Sequence, residues 1–159
     1  MLTALTTLHT LDEVADKVRR RSRLYIRWSL GPETDLRGTS SRDELTGVPL
    51  PGLSANSLDI EPWWQDRSVR IWVARRLYDY CHLPRHRGNG VRPWLLRGQE
   101  SGRGPDNEPL VDHVEPLAWI AAAVIDEAVG VIEEQPGPWG PMERMGQARR
   151  PGGGTPGAR

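Results

Sequence analysis

The stretch GRGPDNEPLVDHVEPLAWI, Gly102 to Ile120, decides the fold. Its first part is a turn. Glycines bracket Arg103, and Pro105-Asp106-Asn107 carries the residue types that close tight turns, with Asn tolerating a left-handed backbone. Glu108-Pro109-Leu110-Val111-Asp112-His113-Val114 then reads as a strand. Upstream, Pro93-Trp94-Leu95-Leu96-Arg97-Gly98 reads as another, so the glycine turn joins antiparallel neighbours. Pro116 suits the first turn of a helix. Ile120, Val124, Ala128 and Ile132 give that helix a buried stripe ending near Gln135. The turn also delivers the acidic triplet Asp106-Asn107-Glu108 to the mouth of a strand. A packing strand needs no carboxylate there, so the acids are either turn chemistry or a site.

Working outward, Thr10-Leu11-Asp12-Glu13 reads as a capping box in which hydroxyl and carboxylate each satisfy a backbone N–H. Leu11, Val14 and Val18 share a helical face, and Arg19-Arg20-Arg21 complements the dipole of a helix ending near Ser22. Leu24-Tyr25-Ile26-Arg27-Trp28-Ser29 is a strand stopped by Gly31-Pro32. Period-two geometry puts Leu24, Ile26 and Trp28 on a core face, with Arg27 flanked by the hydroxyls of Tyr25 and Ser29 on the other. Residues 30 to 50 read as a loop with one helical turn near Ser41-Arg42-Asp43-Glu44. Leu50 to Asn56 reads as a short edge strand or extended segment, because Pro51 and Gly52 forbid a central strand. Pro62 to His82 reads as one long helix with a stripe of Val69, Trp72, Val73, Leu77 and Tyr80, followed by a basic loop, RHRGNG. From Pro136 the chain is rich in Pro, Gly and Arg and too poor in apolar residues to order itself.

Strands mix with helices without regular βαβ alternation. The pattern predicts an α+β fold: a small, mostly antiparallel sheet with an N-terminal helix, a long central helix and a C-terminal helix. Residues 1–135 form one domain, and 136–159 a disordered tail.

The 159 residues carry 21 basic and 21 acidic side chains, so no global field steers the chain to nucleic acid or membrane. The balance is uneven: four Arg and one Glu after residue 135 give +3 there and leave −3 on the body. The single cysteine, Cys81, excludes an internal disulfide and suits a reducing cytoplasm. Neither a membrane span nor a signal peptide is legible, so a cytoplasmic location is expected.

Several candidate sites dissolve on inspection. Gly102-Arg103-Gly104 lacks the third glycine and the following helix of a dinucleotide fingerprint. Cys81, His82, His86 and His113 match no common zinc spacing, and no metal is expected. Ser54 lacks the second glycine of a nucleophile elbow. The arginine runs Arg19 to Arg23 and Arg85 to Arg92 are not interleaved with aromatic residues, so nucleic acid is a third-ranked partner. The alternative is a non-catalytic protein-interaction module in which exposed tryptophans such as Trp63 and Trp64 dock a partner.

Two fragments resemble ADP-ribosyltransferase-like proteins. Leu24 to Ser29 resembles the first core strand of that superfamily, which often carries a basic residue that holds the nicotinamide dinucleotide. Asn107-Glu108-Pro109-Leu110-Val111, followed by Val114-Glu115-Pro116 and Trp119-Ile120, resembles its late strand, opened by a glutamate. Gly52-Leu53-Ser54-Ala55-Asn56 stands in the order of its serine strand, without the hydroxyl-rich form. The chain as a whole resembles a small actinobacterial family without an assigned activity. The superfamily resemblance implies Glu108 as the catalytic carboxylate and Asp106 as the residue orienting the acceptor. It implies Arg27, Ser54 and Tyr25 (or Tyr78, over the ring) on NAD, with ADP-ribose passing to an acceptor not legible in the sequence. Such chemistry wants a carboxylate, because breaking the nicotinamide–ribose bond develops oxocarbenium character.

Overall fold

The computed structural model describes residues 4–37, 52–81, 90–105 and 107–134. The expected C-terminal tail, the helical turn at Ser41–Glu44 and most of the basic loop lie outside them.

In chain order the elements are β1 (Thr6–Leu8), α1 (Leu11–Arg20), β2 (Leu24–Ser29), α2 (Pro32–Arg37), β3 (Leu53–Ser54) and β4 (Asn56–Ser57). A 3₁₀ turn (Pro62–Trp64), α3 (Val69–Tyr80), β5 (Arg92–Arg103), β6 (Pro109–Ile120) and α4 (Ala122–Glu134) follow. The α+β reading holds. The strands form a mixed sheet in the order β1-β6-β5-β2-β4, with β3 also on β6. Among the described residues only β1 on β6 is parallel; the other pairings are antiparallel.

The capping box forms as read. Glu13 N–H donates to the Thr10 hydroxyl at 3.1 Å, and the Glu13 carboxylate accepts from the N–H groups of His9 at 2.7 Å and Thr10 at 3.0 Å. Those bonds, His9's first, hold the Glu13 carboxyl below its ordinary range. The long hairpin also forms, but both strands run further than expected: β5 continues past Gly98 through Gly102 and Arg103, which pair with Leu110 and Pro109, so the turn starts only at Gly104. β6 continues through Pro116 to Ile120, and the helix begins at Ala122. Proline is tolerated there because it sits at a register shift. Leu95 faces Ala118 while Leu96 faces Pro116, so the strand carries an extra residue where a ladder bond would be missed. Val124, Ala128 and Ile132 remain the buried stripe of α4.

The expected Pro62–His82 helix is two pieces. A 3₁₀ turn ends at Gln65, whose φ of 58° breaks the helical path. Ser68 then starts α3 afresh, its hydroxyl accepting from Ile71 N–H at 3.2 Å. The predicted loop after Ser29 contains α2, and β1 is a three-residue strand too short for any periodicity to reveal.

The sheet is curled, and one short segment shows why. Leu53 and Ser54 pair with Val111 and Leu110 of β6, while Asn56 and Ser57 pair with Ile26 and Tyr25 of β2. Those partner strands flank β5 on opposite sides, and Ala55 alone separates the two pairings. The segment therefore spans the face of β5 and draws β2 and β6 together. Beneath it lies a small core of Tyr25, Leu53, Ala55, Trp94, Leu96 and Val111. The opposite face carries the main core, in which Leu24, Ile26, Trp28, Leu95 and Ile120 meet α1, α3 and α4. All six residues of β2 are consequently buried, including those expected on an open polar face.

Arg70 ties the helices together at the surface of the main core. It donates to Asp12 at 3.0 Å and to Glu127 at 2.8 Å, and Glu127 also accepts from Leu11 N–H at 2.9 Å. At the centre lies Trp72, fully buried, its indole N–H donating to Leu58 O at 3.0 Å. Replacing Trp72 with Ala should destabilise the fold by roughly 3–5 kcal/mol in urea denaturation. A near-neutral result would place the wrong face of α3 inward.

Candidate active site

Arg27 belongs to the concave side of β2, beside the small core, and is 6% exposed. Its Nε donates to Asp35 Oδ2 at 2.7 Å and its Nη2 to Asp35 Oδ1 at 3.4 Å, a fork-on-carboxylate contact. Its Nη1 donates to the backbone oxygen of Ser54 at 2.6 Å. Asp35, itself 5% exposed, also accepts from the Ser29 hydroxyl. That hydroxyl oxygen in turn accepts from Trp94 Nε1 at 2.9 Å and Gly31 N at 3.1 Å. The charges are thus buried inside a hydrogen-bonded set. Removal from water would otherwise cost several kcal/mol for each ion.

Sequence reasoning missed Asp35. It sits on α2, within what reads as a loop. A signal was present: Gly31-Pro32-Glu33-Thr34-Asp35 has Pro at the first helical position and acids in the first turn.

Ser54 connects this set to the hairpin. Its Oγ donates to Glu108 Oε2 at 3.3 Å, while its carbonyl holds Arg27. Antiparallel pairing of β3 with β6, extended by Ala55 N–H to Pro109 O at 3.1 Å, sets Glu108 beside Ser54. The turn aims the carboxylate. Gly104 N–H donates to Glu108 O at 2.8 Å, Asn107 N–H donates to Gly104 O at 2.9 Å, and Asn107 takes a φ of 63°. The Glu108 carboxylate folds back over Gly104, where an added Cβ would collide with both carboxylate oxygens. Glycine leaves the carboxylate room to lie there.

Arg27, Ser54 and Glu108 are therefore joined, though they lie far apart in the sequence. Ser54 and Glu108 are half-buried; Arg27 is enclosed. Tyr25 is 6% exposed in the small core. Its phenol is pushed up, first by burial and then by Glu100 and Asp59. Tyr78 packs with the main core, across the sheet from Tyr25. Asp106 lies outside the described residues.

The other candidates separate. Trp64 is 1% exposed rather than available for docking: it packs on Trp72 at 5.3 Å with Arg67 over its ring, while Trp63 is half-buried against both. Cys81 is half-buried with its Sγ 3.1 Å from Tyr78 O. His113 is well exposed at the hairpin, and His82 and His86 fall outside the described residues. Among the described residues no group of His, Cys, Asp and Glu gathers as metal ligands would. No helix there is long and apolar enough to cross a membrane.

Fold and site together define an α+β protein with a helix-backed, curled sheet and an Arg–Ser–Glu cluster on the face away from the main core. The chain belongs to the family of unknown function DUF6098, which it matches over residues 1–140. No curated protein and no solved structure matches it.

The geometry makes Asp35 the residue that neutralises Arg27. Asp35→Ala should cost about 3–5 kcal/mol, because it leaves a buried cation unpaired. Glu33→Ala, on the same short helix, removes an ion pair exposed by 76% on both sides and should change stability by less than about 1 kcal/mol. Urea denaturation of the two variants checks the contrast.

Proposed function

We propose that this protein binds NAD and transfers its ADP-ribose to an acceptor, with Glu108 as the catalytic carboxylate. The observation that carries the reading is the double use of Ser54, whose carbonyl accepts from Arg27 and whose hydroxyl donates to Glu108. Strand pairing and the acceptor demand of Arg27 bring residues 27, 54 and 108 together, and the reaction needs a carboxylate fixed in this way.

The chemistry follows from charge. As the bond between ribose C1′ and the nicotinamide nitrogen breaks, its electron pair leaves with neutral nicotinamide and C1′ becomes cationic. A carboxylate held in place beforehand stabilises that charge mainly in the transition state, and it can accept a hydrogen bond from a ribose hydroxyl in the ground state. The acceptor nucleophile then bonds to C1′ and loses its proton. Ser54 keeps Glu108 oriented. Arg27, enclosed with Asp35, acts in this reading as a positioning residue that fixes the Ser54 backbone, a narrower role than a direct grip on the dinucleotide. Tyr25 forms part of the floor, and Asp106 orients the acceptor.

A second reading is a non-catalytic interaction module. It draws on the exposed apolar side chains of Leu30 and Leu36, 60% and 42% exposed, beside a cleft of about 340 Å³ that Leu30 and Trp119 help to line.

Nicotinamide release from NAD, measured with the full chain and a cell lysate as acceptor source, separates the two. Release should fall by roughly a hundredfold or more in Glu108→Gln with the circular dichroism spectrum unchanged. Gly104→Ala should also slow it by displacing the carboxylate. A wild-type protein that releases no nicotinamide and shows no NAD-dependent thermal shift removes the transferase reading and favours the module.

A further inference from the structure

The middle of the β5–β6 hairpin holds a second polar site that shares no residue with the Arg27–Ser54–Glu108 cluster. Here the strands fall out of step: Arg97 faces Glu115, but Gln99 faces Asp112. The mismatch leaves His113 in a left-handed conformation, with a φ of 52°. Arg23, at the entrance to β2, is also left-handed, with a φ of 60°, and its carbonyl accepts from Gly98 N–H at 3.2 Å. Non-glycine residues rarely occupy that region, and such strain persists where surrounding structure imposes it, often at ligand sites. Gly98 makes the close approach possible, since a Cβ there would strike Val111 and the backbone oxygen of Asp112.

These irregularities shape a cleft of about 140 Å³ lined by Arg23, Arg97, Gly98, Gln99, His113 and Glu115. Its two arginines come from separate segments, the entrance to β2 and the middle of β5. Arg97 matters most: its Nε is buried and has no hydrogen-bond partner among the described residues. Glu115 stands opposite in register without taking up that donor. A buried guanidinium N–H without an acceptor is costly, so the charge of Arg97 stands uncompensated beside the cleft. The second arginine favours negative charge.

We propose that this cleft binds a phosphate group, free or as the terminus of a phosphomonoester. Arginine presents a planar fork of donors that matches the oxygens of a tetrahedral oxyanion, and Arg23 and Arg97 bring two such forks to one opening. Gln99 adds an uncharged donor. Glu115 opposes the anion and limits its affinity, while Asp112 is engaged with His113, 2.9 Å away. The volume admits the phosphate itself and leaves any attached group outside.

Isothermal titration calorimetry on the full chain tests this, with inorganic phosphate, phenyl phosphate and acetate as probes. Both phosphates should bind and acetate should bind far more weakly. Arg97→Gln and Arg23→Gln should each raise the Kd for phosphate roughly tenfold or more, and Arg97→Lys should fall between, keeping charge but losing the fork. Glu115→Gln should tighten binding. Because Arg23 is exposed, Arg23→Gln retains the fold and decides the matter even if Arg97→Gln does not. Tighter binding of inorganic phosphate marks the free anion as ligand; tighter binding of phenyl phosphate marks a phosphorylated molecule. Binding should survive Glu108→Gln, which keeps this site distinct from the NAD reading. Absence of heat with both phosphates, or an affinity unchanged in both arginine variants, overturns the proposal.

Discussion

A guanidinium enclosed on the concave side of a curled sheet needs a carboxylate and further acceptors, and the surrounding structure is organised to supply them to Arg27. Asp35 provides the charge, and Ser54 provides a carbonyl. Each comes from a segment that sequence patterns describe poorly: a six-residue helix and a two-residue strand. Ser29 and Trp94 complete the set by hydrogen-bonding around Asp35. In a low-dielectric interior such a network is strong when every member is satisfied and costly when one is lost. This requirement places α2 over the end of β2 and holds β3 against the inner face.

The same constraint reaches the hairpin. Once Ser54 is fixed by Arg27 and by pairing with Leu110, its hydroxyl is positioned for Glu108, and the Gly104 turn leaves space for the carboxylate. A structural ion pair and a candidate reactive acid are thus connected through one residue. Helices α1, α3 and α4 take little part. They bury the opposite face, where Trp64 and Trp72 fill the volume and Arg70 clamps α1 to α4. Stability is concentrated on the helical side of the sheet, and the polar side chains with chemical potential on the other side and along the hairpin.

Legibility followed the range of the interactions. The capping box at Thr10 and Glu13, the six-residue strand at Leu24–Ser29 and the glycine turn could be read because neighbouring residues within a few positions fix them. The proline at 116 misled for the same reason. Locally it suits a helix start, but pairing with both β5 and β1 carries the strand to Ile120. Long-range ladders supplied more than local preference could oppose. The stretch from Pro62 misled in the other direction, because Gln65 turns left-handed and Ser68 caps a new helix inside a continuous apolar pattern.

By itself the sequence determined the α+β class, the antiparallel hairpin, the buried stripes of α1, α3 and α4, and the order Arg27, Ser54, Glu108 along the chain. Only the tertiary structure decided that these three residues meet, that Asp35 neutralises the arginine, and that Arg23 and Arg97 open onto a shared cleft. The reason is physical. Periodicity and capping are written into residues a few positions apart, whereas the partner of a buried charge is chosen by how a sheet curls, and that curvature arises from pairings dozens of residues distant.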